Sequence, residues 1–282
     1  MQDRIRIFSY LPNPRVWKAT IAGRLCGVEV EVRGTRSDKI REWLWDFDAR
    51  PLTEVDADAL KGMARASSRG FADSTLYKTE RFLDAHPFGT VPAAFSADGT
   101  AGVFESNSIM RLVARLGLDR YPLYGAGPYE ASRVDSFLDA SVGFGHDVQR
   151  YLLSIFAGRL DAHVHAGAQQ GTATYLSGIE RALTKGAQAL VGRGITLADI
   201  CFACEVALLT SEQRSAALLR SSGLAPILSG EHWEAFPNAL AHFQRLVAHP
   251  AFTPDLSAYA DRFKTMCRRA WLDDVSSSAA AR

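Results

Sequence analysis

Two dipeptides carry the clearest chemistry in this chain, Val91-Pro92 and Glu105-Ser106. Proline is excluded from strand interiors because it removes a ladder donor. Pro92 therefore sits at the mouth of the apolar run from Val91 to Phe95, where it marks a turn and, commonly, a cis X-Pro bond kept for function. Glu105-Ser106 follows the short apolar segment Gly102-Val-Phe104 and opens a helix. The first backbone N–H groups of a helix have no intrahelical partner, so they and the serine hydroxyl can hold an anion such as a carboxylate. Taken alone, Ser106 reads as an ordinary N-cap.

The other reactive residue types point elsewhere. Cys201-Phe-Ala-Cys204 has redox or metal-ligand spacing, but it lies inside an apolar helical stretch, and buried packing is the expectation. Cys26 ends its helix, away from the N-terminal position that favours a thiolate. His163-Val-His165 beside Asp161 has no ligand cluster after it, so a solvated loop is expected there.

The elements that position these residues follow from periodicity. Arg4 to Ser9 alternates as a strand, Arg15 to Leu25 has helical spacing closed by Gly27, and Val28 to Val32 alternates again. Strand, helix and strand in so short a span make a parallel βαβ unit. The stretch from Gly34 to about Asp84 exceeds an ordinary connection. It holds the aromatic cluster Trp43, Trp45 and Phe47, a short helix expected from Thr53-x-x-Asp56 to Met63, and a mobile turn at Ser67 to Gly70. Such a segment reads as a lid or an interface element. The Pro-, Gly- and Tyr-rich run from Asp119 to Pro128 is the domain boundary. Beyond it the pattern is helical: Tyr129–Phe156, with a kink expected at Gly143 and Gly145, then Thr172–Ala187, Leu197–Leu209 and Pro237–Val247. The fold class is α/β plus all-α. Residues 1–118 form the first domain with an insertion at about 36–75, residues 128–270 form the second, and 271–282 form a frayed tail.

Composition excludes several functions. A formal net charge of +1, from 32 basic and 31 acidic residues, leaves no electrostatic footprint for nucleic acid. No apolar run reaches the roughly 18 residues that span a bilayer. The N-terminus enters a strand at once, so no signal peptide is expected, and four dispersed cysteines make no disulfide framework. The expectation is a soluble, cytoplasmic protein.

The proline-mouthed strand followed by Glu105-Ser106 resembles the glutathione-binding half of a glutathione transferase, a thioredoxin-like domain with a cis-proline before its third strand. Val191-Gly-x-Gly194-Ile-Thr-Leu-Ala-Asp-Ile200 is similar to the motif that starts the central buried helix of that family's second domain. Its Thr196 and Asp199 have capping-box spacing. Phe236-Pro-Asn-x-x-x-x-Phe243 and His249-Pro-x-Phe252 resemble the family's late helix and its stop. Lys18-Ala-x-Ile-Ala is similar to the first helix of the transferase-like domain in the gamma subunit of the elongation-factor exchange complex.

The resemblance implies a thioredoxin-like domain followed by a helical bundle, glutathione as cofactor, and a dimer pairing the first domain of one subunit with the second of the other. It implies that Val91 and Pro92 pair with the cysteinyl unit of glutathione, while Glu105 and Ser106 take the γ-glutamyl carboxylate. It also places the thiol-activating donor between the first strand and first helix. Asn13 matches the serine position of theta-like members and resembles fungal and Nu-type members, whereas Ser9 and Tyr10 fall near the tyrosine position of alpha-like ones. The implied activity is attack of a glutathione thiolate on a hydrophobic electrophile, with aryl ether cleavage as one example, and the aromatic-rich insertion suits an aromatic acceptor. The alternative is a noncatalytic interaction module with the same fold.

Overall fold

The computed structural model describes residues 4–66, 74–229 and 234–261. The chain divides after Leu123 into two compact units.

The first unit is built on a four-stranded sheet of order β2-β1-β7-β8. Its strands are β1 (Arg4–Tyr10), β2 (Glu29–Thr35), β7 (Ala93–Ser96) and β8 (Gly102–Phe104). β1 runs parallel to β2, as the βαβ pattern requires, and antiparallel to β7, which pairs antiparallel with β8. Between β1 and β2 lies α1 (Pro14–Cys26), with proline in its first turn and Gly27 at φ 70° stopping it. α1 packs against α3 (Ser106–Leu116), whose inward face includes Ile109, Met110 and Val113.

The insertion departs from expectation. It folds into a second sheet of order β4-β3-β6-β5, from β3 (Trp43–Trp45), β4 (Arg50–Pro51), β5 (Ala64–Ala66) and β6 (Thr75–Lys78). The helix expected up to Met63 is absent. A single 3₁₀ turn, Leu52–Glu54, precedes a chain of turns in which Asp56 accepts from the Asp58 amide at 2.7 Å. That Asx turn gives the backbone a local alternative to helix. The turn expected at Ser67 to Gly70 lies outside the described residues, as does the tail.

Trp45 and Phe47 join Phe8, Phe82, Ala93 and Phe95 in one buried cluster, with Phe82 supplied by α2 (Glu80–Ala85). Arg6, Phe8, Ala93 and Phe95 share a face of the main sheet by strand alternation and register. The insertion therefore covers that face. The expectation of a lid is corrected for these two rings, because they are core, while Trp43 is only partly buried against the cluster. Arg6 stacks on Phe47, 4.1 Å from the ring centroid, and its guanidinium bonds Asp48 and Glu31, tying the insertion to the sheet.

The second unit is helical: α4 (Pro128–Phe156), α5 (Ala162–Ala182), α6 (Leu197–Leu209), α7 (Ala216–Ser221), α8 (Pro237–Ala248) and a further helical run over 253–261. α6 is buried on nearly every side, and Cys201 and Cys204 are packed within it. Thr196 and Asp199 close the capping box at its start. α4 passes through Gly143 and Gly145 as one continuous helix. α5 begins ten residues earlier than periodicity indicated: Asp161 caps it by accepting from the His163 and Val164 amides. The expected solvated loop is thus its first turn, and His165 is buried with Nε2 2.9 Å from the Ala225 carbonyl.

Candidate functional site

The register of the main sheet brings the predicted residues of the first unit to one edge. Phe8 pairs with Ala93, and Ala93 pairs with Phe104. The next residues outward are therefore Ser9 at the end of β1, Pro92 before β7 and Glu105 after β8. Both helices that follow those strand ends, α1 and α3, begin at this edge, so the positive ends of two helix dipoles serve it, although the first amides of α1 are already bonded, Arg15 to Asn13 Oδ1 and Val16 to the Asn13 carbonyl.

At the first strand end, Asn13 caps α1. Its Oδ1 accepts from the Arg15 amide at 3.0 Å, and its Nδ2 donates to Ser9 Oγ at 3.2 Å. Both side chains are buried, Asn13 at 1% exposure and Ser9 at 0%, whereas Tyr10 is half-buried. Ser9 is further enclosed by Gly34, where an added Cβ would stand 1.7 Å from the Ser9 carbonyl oxygen. With φ at 151°, Gly34 holds a backbone conformation that suits only glycine.

Val91-Pro92 is a cis peptide bond, and so is Leu11-Pro12, which sequence reading did not single out. The loop from His86 to Val91 is held from beneath. Lys78 donates to the Gly89 carbonyl at 2.7 Å and lies 4.9 Å from the Trp45 ring centroid. His86 Nε2 meets Thr90 Oγ1 at 3.0 Å, and its ring stacks on Phe104 at 4.7 Å. Burial, aided by the nearby Lys78 charge, pushes the His86 pKa down to about 4, and burial likewise lowers that of Lys78. The imidazole is therefore neutral at ordinary pH and acts as a packing and hydrogen-bonding prop.

At the third strand end, Glu105 and not Ser106 occupies the cap position of α3. Glu105 has φ 65° and ψ 123°, a conformation costing a non-glycine residue about 1–3 kcal/mol. Among the described residues it is the sole non-glycine with positive φ. Ser106 is the first helical residue. Its Oγ accepts from Lys18 Nζ at 3.3 Å, and the same ammonium donates to Asn107 Oδ1 at 2.8 Å. Lys18 is 1% exposed. Sequence reading passed over this lysine as a site residue, although it falls on the helical row of Pro14, Ile21 and Ala22 that α1 buries. A lysine in an apolar stripe was the available signal.

Cys26 ends α1, away from the helix start that serves this edge. Burial raises the Cys26 pKa, opposite to what a nucleophile needs. Cys201 Sγ lies 3.2 Å from Ser141 Oγ within the helical unit.

The backbone has counterparts of the same fold among solved structures. A glutathione S-transferase from Methylobacterium radiotolerans, in complex with glutathione sulfonate, superposes with a TM-score of 0.57 over 89% of this chain and 94% of that one, at 20% identity. The chain has the glutathione transferase fold. No family model matches the sequence. Probable elongation factor 1-gamma 1 of Arabidopsis thaliana is 30% identical over 181 residues, 62% of this chain and 39% of that protein. A glutathione S-transferase-like protein of Aspergillus aculeatus is 29% identical over 144 residues, 49% of this chain and 66% of that protein. The chain spans about two fifths of the length of the elongation factor relatives it matches. Thus the expected α/β plus all-α class, with a thioredoxin-like first part, holds. In this transferase-like frame, no described helix is long and apolar enough to cross a membrane.

Proposed function

We propose that this chain binds reduced glutathione at the edge where β1, β7 and β8 end, and uses its thiolate against a hydrophobic electrophile. The observation that carries the reading is the convergence of Ser9, cis Val91-Pro92 and the strained Glu105 beside two helix N-termini. The cysteinyl unit pairs with the Val91 main chain as an added strand. The γ-glutamyl carboxylate meets Ser106 and the start of α3. Thiol activation falls to Asn13, with Ser9 and Tyr10 beside it. A free thiol near pKa 8.5 needs about 2.7 kcal/mol of preferential thiolate stabilisation to drop two units. An amide donor together with the α1 N-terminus supplies that order.

The case for an aromatic acceptor, aryl ethers included, rested on the insertion's rings. With Trp45 and Phe47 committed to the core, it loses that support, and the acceptor is stated only as hydrophobic. Assembly as a dimer in the cytoplasm belongs to the same proposal.

A second reading, a glutathione transferase fold serving as an interaction module without turnover, draws on the relatives named elongation factor 1-gamma. The buried Asn13–Ser9 pair favours it, because one Nδ2 proton is already given to Ser9 and only the second is left for a thiolate.

Calorimetry with glutathione, followed by absorbance titration of the bound thiol, separates the two. The transferase reading expects saturable binding and a bound thiol pKa near 6.5, about two units below the free value. Asn13→Ala should raise that pKa while changing glutathione affinity less, since thiolate stabilisation acts on reactivity. Binding with an unshifted thiol supports the module, and absence of binding refutes the transferase.

A further inference from the structure

We propose that Lys18 is the positioning residue of the carboxylate subsite at the start of α3, aiming the Ser106 hydroxyl proton at the bound ligand. The inference rests on the glutathione-binding reading above. It arises from an arrangement that the site's own residues do not explain, a lysine at 1% exposure whose Nζ reaches both Ser106 Oγ and Asn107 Oδ1.

The direction of the hydrogen bond decides the argument. An ammonium has three donors and no acceptor, while a hydroxyl has one proton and two lone pairs. Ser106 Oγ must therefore accept from Lys18, and its own proton cannot return along that line. Without the lysine, the hydroxyl rotor is free to turn inward or to bond its own helix, as serine hydroxyls near helix starts readily do. With it, one lone pair is occupied and the O–H is directed elsewhere, which for a half-buried first-turn residue includes the ligand side. A hydroxyl that accepts from a cation is also polarised into a better donor.

The same ammonium orients the second residue of α3. Asn107 Oδ1 is drawn to Lys18 at 2.8 Å, which fixes the amide of a side chain only 9% exposed. The first turn of α3 is thus braced from α1, at the point where Glu105 leaves β8 in a strained conformation. Burying an ammonium costs free energy unless its donors are used. Here two of them go to the two residues that open the proposed anion site. The ligand chemistry selected is a carboxylate at the γ-glutamyl end of the peptide.

The test compares glutathione with 4-aminobutanoyl-cysteinylglycine, which lacks only the α-carboxylate of the γ-glutamyl unit. Binding of each is measured to the wild type, Lys18→Met, Ser106→Ala and the double variant. Lys18→Met is expected to weaken glutathione about tenfold or more and to leave the truncated peptide within about twofold, in line with loss of a charge-assisted contact. In the Ser106→Ala background, Lys18→Met should change glutathione binding by no more than about twofold, because its effect passes through that hydroxyl.

Equal losses for both peptides would make Lys18 a packing residue and overturn the inference. A full loss persisting without Ser106 would overturn it too. If the wild type binds glutathione and Lys18→Met is indifferent, this inference alone falls. If the wild type binds neither peptide, the glutathione reading falls and takes it along. Should Lys18→Met fail to fold, the ¹⁵N-lysine-labelled wild type provides the reading: the Lys18 ammonium resonance moves with glutathione and stays with the truncated peptide. Equal movement with both refutes the positioning role.

Discussion

Glu212 offers the sharpest test of how burial and hydrogen bonding compete in the helical unit. Its carboxylate is fully buried and accepts from Tyr151 Oη at 2.9 Å, the Ile227 amide at 2.9 Å and the Leu228 amide at 2.8 Å. Three donors favour the charged form, yet burial outweighs them and raises the pKa from the ordinary 4.5 to about 7. The folded state therefore binds the proton more tightly than the unfolded one. Stability from this group is fully present below pH 4.5 and lost as pH rises through about 7. At 1.36 kcal/mol per unit, the loss is about 3 kcal/mol.

Glu212→Gln removes the titration at near-constant shape. Whichever way the amide is placed, its NH₂ faces either the Ile227 or the Leu228 N–H, a mismatch costing about 1–3 kcal/mol at every pH. Urea unfolding of the full chain by circular dichroism, with amide exchange at Ile227 and Leu228, should show the variant less stable at pH 4. The difference should shift by about 3 kcal/mol in the variant's favour toward pH 8, so that it vanishes or reverses sign. A gap that widens with pH would mean that the three donors outweigh burial, and the reasoning would be refuted.

Three further outcomes follow from the first unit. Trp45→Ala should cost about 3–5 kcal/mol in urea unfolding, as a core ring does; unchanged stability with lost turnover would return the insertion to a lid. Gly34→Ala should destabilise by about 3 kcal/mol or more, because its Cβ would meet the Ser9 carbonyl at 1.7 Å; a change below about 0.5 kcal/mol refutes the close approach. His86 acts with the opposite sign to Glu212: its pKa is depressed to about 4, so its contribution is present above pH 6.5 and lost as pH falls through about 4. Amide exchange at Gly89, whose N–H bonds the His86 carbonyl, should accelerate in that acid window, and constant protection there would refute the assignment.

What was legible in the sequence was local. Asn13-Pro14 and Gly27 bracket α1 through capping rules that need no tertiary partner, and Thr196 with Asp199 announces α6 in the same way. The start of α5 was hidden because its first ten residues turn a weak face inward, with His165 and Ala168 buried and Gly167 and Gly171 interrupting the apolar row. Asp161 was the usable sign, and its capping role was passed over beside two histidines. The second sheet was not legible at all. Its strands are two to four residues long, and the pairing of Leu44 with Tyr77 joins segments far apart in the chain. No local period encodes such a pairing.

The site shows a related division. Val91-Pro92 and Glu105-Ser106 were visible because a strand-mouth proline and a helix start are backbone devices with short sequence signatures. Lys18 was not, since its role depends on a contact 88 residues away in the chain. This difference bears on how one edge can support either proposed reading. A peptide held by the Val91 main chain and the α3 N-terminus is held largely by groups that every residue carries, so binding tolerates side-chain change. Thiol activation depends instead on one donor aimed at one sulfur. In this chain the leading candidate, Asn13, already caps α1 with its oxygen and donates to Ser9 with its nitrogen. An amide nitrogen carries two protons, so the bond to Ser9 uses one and leaves a second for a thiolate. Turnover therefore requires that second proton to face the sulfur, a demand on geometry that binding does not make. The bound thiol pKa, more than affinity, is the quantity that separates an enzyme from a module built on the same edge.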